Sequence, residues 1–332
     1  MLRRAIRAAR AVKRRLGERM ARPPTADEAA AIGKLRETIG SLDPIPPAAA
    51  AASPAAAEWD RNRQALRDQI LTQDPRRFLS WEVIRQTMFV DDAPYVRAEL
   101  SALRAEPDWA ARWEPAVRED AVGAPPPCPA YRRSSGNLIH HAYHLSQFER
   151  ATGWRIGSVG SVLEFGGGYG SLCRLAQNLG FAGRYTILDV PEFSALQRYF
   201  LSSRPAAAGG ARVECVTDVD RLGAAAAAGP APVLFVATWS VSETPLSVRG
   251  PVLDRVAGAD AFLIGYQHRF GEVDNVAFFE AWRRARADVR WTDWPIEHLP
   301  GNRYLMGVRT GGQGPAPAAP AGPQGAAPRG AA

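Results

Sequence analysis

Ser161-Val162-Leu163-Glu164-Phe165-Gly166-Gly167-Gly168-Tyr169-Gly170 is the stretch that decides the fold. A short apolar run ends on an acid and breaks into four glycines within five residues, and Ser171-Leu172-Cys173-Arg174-Leu175-Ala176-Gln177-Asn178-Leu179 then follows with helical spacing. Strand, glycine turn and helix N-terminus together let backbone approach a ligand closely, with N–H groups and the helix dipole facing it. A tight connection between strand and helix needs fewer glycines than this, so the turn reads as a binding element.

Two ligand classes use such a turn. The dinucleotide pattern G-x-G-x-x-G, started from Gly166 or Gly168, would require glycine where Ser171 or Cys173 stands. The sequence is instead E-x-G-x-G-x-G, with Glu164 leading it. A carboxylate there attracts a cation and sits poorly beside a pyrophosphate, which favours S-adenosylmethionine held by Glu164, Gly166, Gly168 and Gly170.

Working outward, strand-like runs recur at Ser161–Phe165, Tyr185–Leu188, Val213–Val216, Val233–Ala237 and Ala261–Tyr266, separated by helical stretches. That alternation predicts an α/β fold, a Rossmann-like, mostly parallel sheet covered on both faces. Two closely spaced runs near Val289–Trp291 and Arg303–Val308 predict a terminal hairpin with an antiparallel last strand. Asp189 ends the second run 19 positions after Gly170, where an acid accepts hydrogen bonds from both hydroxyls of a ribose; the alternative is a helix cap before Val190-Pro191. Asp218, after the third run, is placed to meet an adenine edge or is a polar loop residue.

The chain of 332 residues carries a net charge of +7, yet residues 1–22 hold nine basic side chains against Glu18 alone, a net of +8 that leaves −1 for the remainder. A nearly neutral body gives no electrostatic case for nucleic acid as a partner. The basic arm, with Leu2, Ile6, Ala9, Val12 and Leu16 at roughly helical spacing, reads as a solvated extension, with weak association to an anionic membrane as the competing reading. Three scattered cysteines suggest neither a disulfide framework nor a zinc site, and no apolar run approaches a membrane span, so a soluble, cytoplasmic protein is expected.

Composition divides the rest. Residues 23–57 form a partly disordered segment that includes the Ala/Pro linker Pro44–Ala57; 58–136 a helical cap; 137–310 the ligand-binding domain; 311–332 a disordered Gly/Pro/Ala tail. In the cap, Leu66, Ile70, Phe78, Trp81, Ile84, Met88, Tyr95, Leu100 and Leu103 recur every three to five residues and are read as core without chemistry.

Residues 137–309 resemble the class I methyltransferases, and more narrowly the sugar O-methyltransferase family. The narrower likeness rests on Leu163–Gly170, on Ile187-Leu188-Asp189-Val190-Pro191 with Leu196-Gln197-Arg198-Tyr199-Phe200, on Ser240-Val241-Ser242-Glu243, and on Gly301-Asn302-Arg303-Tyr304. The resemblance implies a seven-stranded sheet with an antiparallel last strand, S-adenosylmethionine as cofactor, and a small-molecule or glycan acceptor under the cap.

Transfer to a hydroxyl calls for a general base beyond the carboxyl ends of the strands. Glu243, after the fourth strand, is the first candidate for base or substrate anchor, with the third position of a capping box opened by Ser240 as its alternative role. His268 follows the fifth strand and is either similarly placed or an exposed loop residue. His140, His141 and His144 share one helix; a metal pair is geometrically possible but lacks the H-E-x-x-H acid, so His144 is read as a base or sugar ligand, or else a satisfied core histidine. Trp239 and Tyr266 are the aromatic residues placed to wall a pocket. A nicotinamide-dependent oxidoreductase and a non-catalytic scaffold are the competing functions.

Overall fold

The computed structural model describes residues 22–46, 54–203 and 210–311, so the greater part of the basic arm, residues 47–53 of the linker and 312–332 of the tail lie outside the described residues. The segment expected to be partly disordered contains a helix, α1 (Ala26–Gly40). Thr25 opens it: the hydroxyl accepts from the Glu28 N–H and the Glu28 carboxylate reaches back to the Thr25 N–H, a capping box. Ile32, Leu35 and Ile39 bury one face. The linker is also shorter than its composition suggested, because α2 (Pro54–Thr72) begins inside it. A 3-10 turn (Pro75–Ser80), α3 (Glu82–Thr87), α4 (Pro94–Arg104) and a short π-helical and α-helical turn over Trp109–Trp113 and Glu114–Ala116 lead to α5 (Gly136–Thr152).

From α5 the chain alternates as expected: β1 (Ser161–Phe165), α6 (Ser171–Asn178), β2 (Arg184–Leu188), α7 (Pro191–Ser202), β3 (Arg212–Val216), α8 (Val219–Ala228), β4 (Val233–Thr238), α9 (Leu246–Arg255) and β5 (Ala261–Gln267). A small hairpin pairs Arg269–Phe270 with Val273–Asp274 before α10 (Asn275–Arg284), and β6 (Val289–Pro295) and β7 (Asn302–Arg309) close the fold. The sheet has seven strands in the order β3-β2-β1-β4-β5-β7-β6. Strands β1 to β5 are mutually parallel, and β7 runs antiparallel between β5 and β6. The order reverses at β1/β4, and a ligand in such a sheet sits in the crevice outside the carboxyl ends at that point.

Successive side chains of a strand face opposite ways. Val162, Ile187, Leu234, Val236 and Leu263 accordingly meet α5 and α6, while Leu163, Leu188, Phe235, Phe262 and Ile264 meet α8, α9 and α10. A third cluster joins Ile32, Leu66, Ile70, Phe78, Trp81 and Ile84 of the cap to Tyr169 of the glycine turn and to Phe193, Leu196, Tyr199 and Phe200 of α7. The cap is therefore built onto the turn itself.

Candidate active site

Between cap and sheet lies a cavity of about 1230 Å³. Its floor is the glycine turn, where Gly166, Gly168 and Gly170 have φ of +71°, +57° and +95°, in the left-handed region. A Cβ on Gly166 would lie 2.4 Å from Ser240 Cβ, so the turn also needs its bareness against the loop after β4. Glu164 is 3% exposed, and the Tyr185 hydroxyl donates to its Oε2 at 2.9 Å. Burial pushes its carboxyl up to about 8.

The next acids follow in sheet order. Asp189 Oδ1 accepts from the Val190 N–H at 2.8 Å and Oδ2 from Gln197 Nε2 at 2.9 Å; burial nevertheless raises it to about 7. Gln197 donates to Gly168 O as well, so one side chain of α7 ties the acid to the turn. Asp218 borders the cavity and caps α8 by accepting from the Asp220 N–H. The charged residues lining the cavity, among the described ones, are Asp60, Glu164, Asp189, Asp218 and Glu243 against Arg63 alone.

Across the turn is a second, aromatic end. Trp239, with φ of +66°, donates its Nε1–H to Asn302 Oδ1 at 2.6 Å and lies against His140 with ring centroids 5.6 Å apart. Burial raises Glu243 to about 7, and its described donor is Gln267 Nε2 at 3.4 Å. His144 is 1% exposed; its Nδ1 meets the Tyr304 hydroxyl at 2.5 Å, and burial holds the imidazole neutral, far below its ordinary pKa. Arg249 is fully buried and holds the Glu243 loop by donating to Thr244 O, Ser242 O and Asn275 Oδ1. Segments 240–243 and 301–304, far apart in sequence, thus meet through the Trp239–Asn302 bond and flank the α5 histidines.

Two expected residues are not in this assembly. His268 is exposed and outside the cavity lining; its backbone N–H bonds to Gly301 O at 2.8 Å, since the chain has already left β5 there. Tyr266 is fully buried against Phe279 on the opposite face, because strand alternation turns Gly265 and Gln267, but not Tyr266, toward the site. Glu243 does not complete a capping box either: the Ser240 hydroxyl donates to Phe165 O instead. Three cap residues read as core or given no part, Trp59, Met88 and Tyr95, line the cavity.

Glu99 was not visible as a site residue. Its side chain is fully buried; Oε1 meets His140 Nδ1 at 2.7 Å and His298 Nε2 at 2.9 Å. Burial alone would raise its pKa, and the two imidazole hydrogen bonds outweigh burial and hold the carboxyl below the ordinary range. Its one sequence signal was a carboxylate on the Val96, Leu100, Leu103 stripe of α4.

The strand order is that of the Rossmann-like class I methyltransferase fold. No protein-family model matches the chain, and no curated protein matches it. Solved structures that overlay on about half of it include a glycopeptide N-methyltransferase (15% identity, 50% of this chain and 94% of that one, TM-score 0.36). The precorrin-6y C5,15-methyltransferase of Geobacter metallireducens is 14% identical over 52% of this chain and 89% of its own, with a TM-score of 0.34. A 16S rRNA methylase is 12% identical over 52% and 86%, with a TM-score of 0.36. What the site of this chain can hold is set by its own side chains.

Proposed function

We propose that the chain is an S-adenosylmethionine-dependent O-methyltransferase acting on a hydroxyl of a sugar or glycan. The observation that carries this reading is the acid-rich lining of the cavity: five carboxyl groups against one arginine, and that arginine already bonded to Glu192 and Asp60. Such a lining favours a cationic cofactor with a neutral acceptor, and disfavours a pyrophosphate or a polynucleotide backbone. Glu164 fits the cationic methionyl end, since a carboxyl that burial holds at about 8 ionises when a cation is placed against it. Asp189 fits the ribose hydroxyls, Asp218 the adenine edge, and the backbone at Gly166, Gly168 and Gly170 leaves room for close approach.

When bound, the cofactor supplies a methyl on a sulfonium that is displaced in line by the acceptor oxygen. The chain's own part is to align that oxygen, keep water out and take its proton. Trp239 offers a flat face to a sugar ring, Asn302 and Gln267 offer polar contacts, Glu243 anchors a hydroxyl, and His144 backs the wall as a neutral imidazole.

Calorimetric titration with S-adenosylhomocysteine and with NADH tests the cofactor. Binding of the former that Glu164→Ala weakens at least tenfold supports the reading; tight NADH binding without it would reverse the choice. Labelled methyl transfer to purified glycans, with RNA as a parallel substrate, tests the acceptor, and label appearing in RNA rather than glycan would overturn the sugar assignment.

A further inference from the structure

The Glu99, His140 and His298 cluster has no part in the binding roles above. Three elements bring it together: Glu99 from α4, His140 from α5, and His298 from the connection between β6 and β7. A fully buried carboxylate is costly unless it is hydrogen-bonded, and here both described donors are imidazoles on one oxygen, Oε1. Glu99 has no lone hydrogen to give while ionised, so His140 Nδ1 carries the proton in that bond. The neutral ring then presents its lone pair on Nε2. His140 lines the cavity, and the side chain retains 8% exposure there.

Its neighbours set that ring beside the loop that packs on the glycine turn. The ring lies nearly parallel to Trp239, at 26°, and Trp239 precedes Ser240, the residue packed against Gly166 of the cofactor turn. His144 shares the helix face, with ring centroids 4.1 Å from His140, but its Nε2 is sealed without a partner. Resting on the methyltransferase reading, we propose that His140 is the general base, taking the acceptor hydroxyl's proton on Nε2, and that Glu99 is its positioning residue, with His298 fixing the carboxylate. The O–H bonding pair stays on the acceptor oxygen, the proton converts the imidazole to an imidazolium beside Glu99, and solvent later removes it. This is an imidazole oriented by a carboxylate, a pairing whose third group fixes tautomer and orientation.

The groups facing His140 are Tyr95 and Glu99 from α4, His141 and His144 from its own helix, Trp239 after β4, and His298 through the shared carboxylate. The first test needs neither cofactor nor acceptor. Long-range proton–nitrogen NMR on the full chain with labelled histidine, assigned by single His→Gln variants, reads each tautomer above neutral pH. His140 is expected as the Nδ1–H form, and Glu99→Gln is expected to introduce the Nε2–H form alongside it. An Nε2–H form in the unaltered protein would overturn the proposal by itself, whether or not any variant folds.

The second test reads turnover with labelled S-adenosylmethionine on a glycan that accepts methyl. His140→Gln is expected to lower kcat by at least about 100-fold, with S-adenosylhomocysteine affinity kept within about threefold. Glu99→Gln is expected to lower kcat less than His140→Gln does, with KM for the acceptor kept within about threefold. A His140→Gln enzyme with undiminished kcat would overturn the proposal, whereas failure of the unaltered protein to bind S-adenosylhomocysteine counts against the methyltransferase reading and leaves the tautomer result to judge the pair.

Discussion

At Gly166 two demands fall on one position, a φ of +71° and a loop that leaves no room for a Cβ. Gly180 shares the first demand, with φ of +92°, and faces open space. The pair separates backbone strain from contact. Gly180→Ala is expected to cost about 1–2 kcal/mol in urea denaturation, from the left-handed backbone alone. Gly166→Ala should cost about 1–3 kcal/mol more, because the Ser240 side chain it meets is held by its bond to Phe165 O and cannot move aside freely. Equal losses would mean that the loop yields.

Glu164 makes a pH prediction whose sign follows from its raised pKa. Between the ordinary value of 4.5 and about 8 the folded protein binds more protons at this residue than the unfolded chain, so stability falls as pH rises across that window. Thermal melts of the ligand-free protein should drop from pH 5 to 8, and Glu164→Gln should flatten the curve. A cation bound at Glu164 favours the ionised form, so S-adenosylhomocysteine should raise the melting temperature most at the alkaline end. A slope unchanged in the variant would assign the pH dependence to Asp189, Glu243 or Glu119, which burial raises to about 7 each.

Among the elements, α7 does the most joining. Gln197 ties Asp189 to the turn, one face enters the cap cluster, and Glu192 in its first turn accepts from Arg63 at 2.9 Å and Arg67 at 2.7 Å, both on α2. The Glu192 side chain is fully buried, while those of Arg63 and Arg67 retain 20% and 10% exposure. Removing the carboxylate leaves the largely enclosed Arg67 without its carboxylate partner, while Arg63 keeps Asp60 at 3.1 Å, so Glu192→Ala is expected to destabilise by roughly 2–4 kcal/mol, below the upper range for a fully buried pair. Arg63→Ala leaves Glu192 bonded to Arg67 and should cost under about 1 kcal/mol. A double-mutant cycle in chemical denaturation measures both, and equal single losses would contradict the asymmetry.

How much of this was legible follows from where each signal resides. β1, β4 and β5 are buried on both faces and read as apolar runs, so their positions came through closely. α1 was hidden by its alanines, although Thr25 and Glu28 spelled a capping box and Ile32, Leu35 and Ile39 a stripe. The cavity-lining acids Glu164, Asp189 and Asp218 were readable because each stands at or just beyond the end of a strand. Glu99 was not, because its partners stand 41 and 199 positions away and only tertiary packing unites them. His268 misled for the converse reason: it is near in sequence to the strand end, but the chain has turned outward.

For the whole molecule, the cap and the glycine turn share one apolar cluster, so their stabilities are coupled. Phe78 shows how. It is fully buried, does not line the cavity, and packs edge-on to Tyr169 of the turn at 5.5 Å and to Phe200 of α7 at 5.8 Å. Tyr169 in turn accepts from Asn137 Nδ2 at 2.9 Å, which carries the connection to the start of α5 and so to the helix of His140. Phe78→Ala should cost about 3–5 kcal/mol of stability through the cavity it opens. If the cap merely rested on a finished site, cofactor affinity would not change. Because the turn lends Tyr169 to the cap's core, loosening the cap frees the turn, and affinity for S-adenosylhomocysteine is expected to fall about tenfold under conditions where the variant remains folded. Reciprocally, saturating ligand at about 100 times Kd adds about 2.7 kcal/mol to the folded state, and hydrogen exchange should show that protection spreading to residues 78–90 of the cap as well as to 164–170. Protection confined to the turn, with affinity intact in Phe78→Ala, would show that cap and sheet are independent units meeting only at the cavity.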